Sequence, residues 1–109
     1  MGLNREILKG HSQLIILAAL ARRPMHGYAL SEHLRQRMPE SFRFGVGMIY
    51  PLLHRMEKDK LIRGRWQRIL GADRKVYALT HRGQRMLAAK KHDWRLFSSL
   101  VSRMIHQPT

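Results

Sequence analysis

Eleven consecutive residues, Gly47 to Glu57 (GMIYPLLHRME), constrain this chain more than any other segment. Ile49, Leu52, Leu53 and Met56 recur at helical spacing and make one buried side. His54, Arg55 and Lys58 are left outside, with Tyr50 and Pro51 near the start. Two short runs follow at once, residues 61–69 and 74–79, both studded with arginine. In the first, Ile62, Gly64 and Trp66 alternate with Arg63, Arg65 and Gln67, so a strand here carries one apolar and one basic face. Tyr77 and Leu79 extend the apolar face, and Gly71-Ala72-Asp73 supplies the turn. An amphipathic helix running directly into a basic hairpin predicts a winged helix-turn-helix, a mainly α fold with a small β-hairpin.

The flanking segments complete such a domain. Residues 10–21 predict a first helix, apolar on most sides through Leu14, Ile15, Leu17, Ala18 and Leu20, and therefore central. Arg22 and Arg23 suit the negative end of its dipole, and Pro24 ends it. Met25-His26-Gly27 reads as the turn into a second helix over residues 27–37, with Tyr28, Leu30 and Leu34 inward and Pro39 as its stop. Residues 40–45 read as a loop anchored by Phe42 and Phe44, before a third helix over residues 46–59. Thr80 is the expected N-cap of a long final helix reaching residue 105. No repeat or linker interrupts the chain. The reading therefore divides it into residues 1–80, a winged DNA-binding domain, and residues 81–109, a C-terminal dimerisation helix.

Charge names the class of partner. The 109 residues carry 21 Lys+Arg against 7 Asp+Glu, a formal net of +14. Such a surplus repels itself and calls for a polyanion, a nucleic acid or an anionic membrane. Arginine outnumbers lysine, which favours phosphate and base-edge recognition by paired hydrogen bonds. There is no cysteine, hence no disulfide framework and no thiolate metal site, which suits a reducing cytosol. The longest apolar stretch, Leu14 to Ala21, falls far short of a membrane span, and Asn4, Arg5, Glu6 and Lys9 interrupt any signal-peptide core. These features point to a soluble cytoplasmic protein that binds double-stranded DNA and not a membrane.

In a winged helix-turn-helix the third helix enters the major groove and the hairpin lies alongside on phosphate or in the minor groove. Arg55 is the first choice for base readout, through bidentate contact with guanine, and His54 shares its stripe. Lys58 and Tyr50 suit phosphate contact, the competing role for Tyr50 being packing beneath the wing. Arg63, Arg65, Arg68, Arg74 and Lys75 form the densest basic cluster, and with few acids nearby they are assigned to phosphate. Lys9, Arg22, Arg23 and Arg43 are expected to add outer contacts. In the last helix Leu87, Trp94, Phe97, Val101 and Met104 make an apolar stripe spaced by threes and fours, with Leu100 and Ile105 beside it. Part of that stripe is expected to pack on the first helix. The remainder predicts a second copy of the chain, a homodimer.

Taken in order, these residues resemble the PadR family of bacterial transcriptional regulators. The matching pieces are Leu8-Lys9-Gly10, Met25-His26-Gly27-Tyr28, Gly47, Ile49-Tyr50-Pro51 and Leu53-His54-Arg55-Met56-Glu57, continued by Leu61-Ile62, Trp66, Tyr77-Ala78-Leu79-Thr80 and Gly83. The resemblance implies a winged-helix dimer, of the compact subfamily with a single dimerisation helix, that represses its own promoter or one of an efflux or detoxification gene. In some drug-responsive members a tryptophan of the last helix stacks flat aromatic ligands. By that analogy Trp94 and Phe97 are candidates for a small aromatic effector, the alternative being that Trp94 is an interface anchor. The chain departs from the family at three points. Gly45-Val46 replaces the usual Ser/Thr-Pro, Met48 replaces a threonine that could contact DNA, and Lys60 replaces the glycine after the third helix. If residue 60 is left-handed, lysine there costs roughly 1 kcal/mol.

An enzyme has little to stand on here. The seven histidines form no His-x-x-x-His pair with a nearby acid, no glycine-rich phosphate loop occurs, and Ser31, Ser98 and Ser99 lack the setting of a nucleophile. No cofactor is implied. Two other readings use the same residues: a nucleic-acid-coating protein without sequence preference, and a module that docks a strongly acidic protein.

Overall fold

The computed structural model describes residues 5–38 and 46–106, with side chains from residue 10 to 38 and from 47 to 106. Its elements run α1 (Arg5–Arg22), β1 (Met25–His26), α2 (Gly27–Arg37), α3 (Val46–Lys58), β2 (Ile62–Ile69), β3 (Ala72–Leu79) and α4 (His81–His106). This is the winged helix-turn-helix with a long last helix that the hydrophobic periods predict. Ile16, Leu17 and Leu20 of α1 meet Leu30 and Leu34 of α2, Ile49, Leu53 and Met56 of α3, and Ile62 and Tyr77 of the sheet in one core. Each large apolar side chain taken out of water there contributes about 1.5–3 kcal/mol.

The first helix starts at Arg5, earlier than residue 10. Met25 and His26 are not a turn. Pro24 ends helical hydrogen bonding, the chain extends, and Met25 and His26 pair antiparallel with Tyr77 and Val76 of β3. The sheet is therefore three-stranded, in the order β1-β3-β2, and not a bare hairpin. His26 also opens α2, its Nδ1 accepting a hydrogen bond of 3.1 Å from the Ala29 amide. Tyr28 is exposed, contrary to its expected inward role, and His33 is buried beside Leu30 and Leu34 instead. Burial and the positive field of Arg37, Arg23 and Arg22 hold the His33 imidazole below the usual histidine range. The expected roles of Pro39, Phe42, Phe44 and the loop over residues 40–45 lie outside the described residues.

Between α3 and β2 the chain reverses through a Schellman motif. The Leu61 amide donates to the Met56 carbonyl at 2.9 Å and the Lys60 amide to that of Glu57 at 3.0 Å. Lys60 occupies the left-handed position, with φ 62°, where glycine is the usual residue. Leu61 and Met56 are both buried, supplying the apolar contact that accompanies this cap. The hairpin turn is two residues long: Leu70 (φ 50°) and Gly71 (φ 79°). Ala72 and Asp73, assigned to the turn from sequence, belong to β3.

Thr80 caps α4 as expected, accepting from the Gly83 amide at 3.0 Å. Its hydroxyl lies 2.7 Å from the Lys60 carbonyl, which ties the start of α4 to the end of α3. Gly83 is required at this crossing, because a Cβ would collide with the Leu61 carbonyl oxygen. Beyond Leu87 the helix leaves the core and its residues are mostly exposed. That projection gives the molecule a longest extent of 61 Å against a shortest of 20 Å.

Candidate nucleic-acid interface

The third helix meets the sheet with one side only. Ile49, Leu53 and Met56 are fully buried and Leu52 is half-buried, so His54, Arg55 and Lys58 stand in solvent on the far side. Met48, a candidate DNA contact by its position where the family has a threonine, is half-buried and packs against the core. Pro51 lies inside the helix without breaking it. It does lack the amide that would bond the Gly47 carbonyl, which opens the exposed face by one acceptor. Tyr50 combines its two expected roles. It is 38% exposed, yet its ring lies so close over Gly27 that any Cβ at that position would overlap it.

Register divides the wing's basic residues between two faces. Gly64, Trp66 and Arg68 stand opposite Tyr77, Lys75 and Asp73 on the face turned toward α3. Arg63, Arg65 and Gln67 stand opposite Ala78, Val76 and Arg74 on the other. The cluster of five cations expected from sequence is therefore not one patch, because side chains alternate along a strand. Nor is the wing free of acids. Glu57, at the end of α3, accepts from Lys75 Nζ at 2.8 Å and from the Gly64 amide at 2.9 Å. The hydrogen bond from Lys75 holds the Glu57 carboxyl below the usual carboxylate range, against the opposing effect of burial, and Glu57 in turn raises Lys75. Lys75 is thus a strut between wing and helix before it is anything else. Gly64 permits the strut, since a Cβ there would strike the Lys75 stem. Arg68 lies 3.4 Å from Asp73 in a largely exposed pair, which holds it loosely.

A cleft separates the exposed stripe of α3 from the wing, lined by Tyr50 and His54 on one wall and Trp66, Asp73, Arg74 and Lys75 on the other. Trp66 was expected in the apolar face of the hairpin. It is on that face by register but 71% exposed, because the strand has run past the end of the core by the fourth residue after Ile62. Sequence reasoning did not assign it to the site, and alternation alone does not say where along a strand the core ends. Arg63 and Arg65 line a separate groove on the opposite face, together with Pro24, His81 and Gln84. Arg22 and Arg23 are exposed at the end of α1, whereas the side chains of Lys9 and Arg43 lie outside the described residues.

The last helix has two environments along its length. Leu87, expected at the dimer contact, is buried in the core of its own chain. Trp94, Phe97, Leu100, Val101, Met104 and Ile105 are all exposed, a connected apolar stripe on the projecting part. Trp94 meets His11 of α1 edge to face, ring centres 5.2 Å apart, and a shallow cleft beside it is lined by Leu14, Lys90, Asp93 and Phe97. Among the described residues no group of three His, Cys, Asp or Glu could hold a metal ion, and no helix is long and apolar enough to cross a membrane.

A helix-turn-helix with an exposed basic third helix, braced against an arginine-rich wing, defines a winged-helix DNA-binding protein. The model of the transcriptional regulator PadR-like family matches residues 16–89 of the chain. A transcriptional regulator of Mycobacterium tuberculosis is 31% identical over 101 residues, covering 93% of this chain and 89% of that protein. The crystal structure of a PadR-like transcriptional regulator from Bacillus cereus superposes with a TM-score of 0.85 at 34% identity, covering 94% of this chain and 99% of the other. A streptococcal transcriptional regulator gives 0.84 at 29% identity, covering 94% and 100%. The chain belongs to the PadR-like family of transcriptional regulators. Members of that family bind DNA, typically as dimers, and are not enzymes.

Proposed function

We propose that this protein is a dimeric, sequence-specific repressor acting in the cytoplasm on its own promoter or on one controlling an efflux or detoxification gene. The observation that carries this reading is the solvent-facing stripe of Arg55, His54 and Lys58, of which His54, with Tyr50, lines a cleft shared with the wing. Arg55 reads a guanine, Lys58 and Tyr50 fix register on phosphate, and Arg63, Arg65, Arg68 and Arg74 follow the backbone. Residues 1–80 hold the DNA and residues 81–109 hold the partner protomer.

The test is competition binding at about 150 mM salt, where non-specific contacts are already weakened. DNA from upstream of the protein's own gene is challenged with unrelated duplex. A regulator prefers its site by roughly a thousandfold or more, whereas a coating protein shows no preference. Replacing Arg55 with alanine is expected to cost about 1–3 kcal/mol and to relax specificity at one base pair. A dimer neutralising roughly six to ten phosphates loses about three to five decades of affinity between 50 and 200 mM salt.

The cleft beside Trp94 favours a second function, release of DNA by a flat aromatic effector stacked on Trp94 and Phe97. Quenching of Trp94 fluorescence by planar cations or phenolics, measured with Trp66→Phe so that only one tryptophan reports, tests it. Unchanged emission at saturating ligand leaves Trp94 as an interface anchor only.

A further inference from the structure

The most exposed large apolar side chain of the described protein is at the very tip of the wing. Leu70 is 102% exposed and left-handed, with φ 50°, and Gly71 beside it has φ 79°. Two consecutive positive φ values make a type I′ turn, whose first position favours asparagine, aspartate or glycine. A leucine there meets two penalties at once. Its Cβ crowds the following carbonyl, and its branched side chain is left wholly in water. Folding alone selects against leucine at such a site, since no neighbour in the chain covers it. Strain of this kind at an exposed apex points to a contact made outside the molecule.

We propose that Leu70 is an apolar wedge that enters the minor groove and partly unstacks one base step. This rests on the DNA-binding reading above and adds a specificity-determining residue to it. Three observations converge on that occupant. The apex is a two-residue turn between paired strands, so Leu70 is the outermost side chain of the wing, and one side chain rather than the whole ribbon reaches into the groove. Arg68 and Arg74, both exposed, stand near the tip on the two strands, within the reach that phosphates on the groove walls would need. The same end of the wing, through Trp66, Asp73 and Arg74, borders the cleft that Tyr50 and His54 of α3 line, so a duplex seated on that face of α3 lies beside it. Apolar wedges act this way in minor-groove binding, most readily at flexible pyrimidine–purine steps.

The experiment begins with a duplex selected from a randomised pool by the wild-type protein. Affinity across a salt series and thermal midpoints are then measured for wild type, Leu70→Asn and Leu70→Ala, with 2-aminopurine placed in turn at each step flanking the recognition-helix contact. Leu70→Asn relieves the turn, so its thermal midpoint should rise. Both variants should bind roughly ten- to hundredfold more weakly, with the slope of log K against log salt unchanged because no charge is lost. Wild type should brighten 2-aminopurine at one step, and the variants should not. Wild-type affinity in Leu70→Ala, a changed salt slope, or a shift in oligomeric mass revealing tip-to-tip contact between copies overturns the wedge. Recovery of no preferred duplex by the wild type removes the sequence-specific reading itself, and the wedge with it.

Discussion

Lys60 shows how a single backbone angle changes what a residue costs. The Schellman cap places it at φ 62°, so lysine occupies a position that glycine fills without strain. Lys60→Gly is expected to stabilise the fold by about 1 kcal/mol in denaturant titrations, while lowering the DNA salt slope if the ammonium reaches phosphate. His33 offers a second residue-scale test. Its folded-state imidazole titrates below its unfolded value, so between the two the unfolded chain holds more protons than the native one. Stability should therefore fall as pH drops below about 6.5 and level off once the folded imidazole is itself protonated. Denaturation midpoints between pH 7.5 and 5 should show this decline in wild type and a shallower one in His33→Leu.

At the scale of elements, the decisive interaction is the strut from Glu57 to Lys75 and Gly64. It sets the angle between recognition helix and wing, since one carboxylate holds groups from both strands of the hairpin. Glu57→Ala should leave both elements formed but loosen the hairpin, with the Gly64 amide exchanging about tenfold faster or more. An unchanged Gly64 exchange rate would show the strut to be superfluous. Gly27→Ala should act at the other wall of the cleft by displacing the Tyr50 ring. Lys75 looked like a phosphate ligand in sequence because its partner lies 18 residues away on another element. Alternation along β2 and β3 located the strands well, yet it gave no sign that β1 would join them or that Trp66 would overrun the core.

For the whole molecule, the exposed stripe on the projecting half of α4 is the surface that the proposed dimer would cover. Six of the seven exposed large apolar side chains from Trp94 to Ile105 form this stripe and stand in water in the single chain. Covering them with the same stripe of a second copy is the closed two-fold solution. Replacing Phe97 and Val101 together with glutamate is expected to give a monomeric mass in sedimentation. The DNA salt slope should then fall to about half, since one protomer neutralises half the phosphates. A dimer surviving both charges would place the contact elsewhere.

The sequence by itself determined the order of the four helices and the hairpin, the buried side of α3, the Thr80 cap and the basic character of the surface. Each of these depends on period, capping chemistry or total charge, which are local or additive properties of the chain. Tertiary structure alone decided that Leu87 belongs to the core and that Met48 packs against it, that Lys75 is spent on Glu57, and that β1 joins the hairpin. Those outcomes depend on which distant residue arrives opposite, and no window along the chain contains both partners.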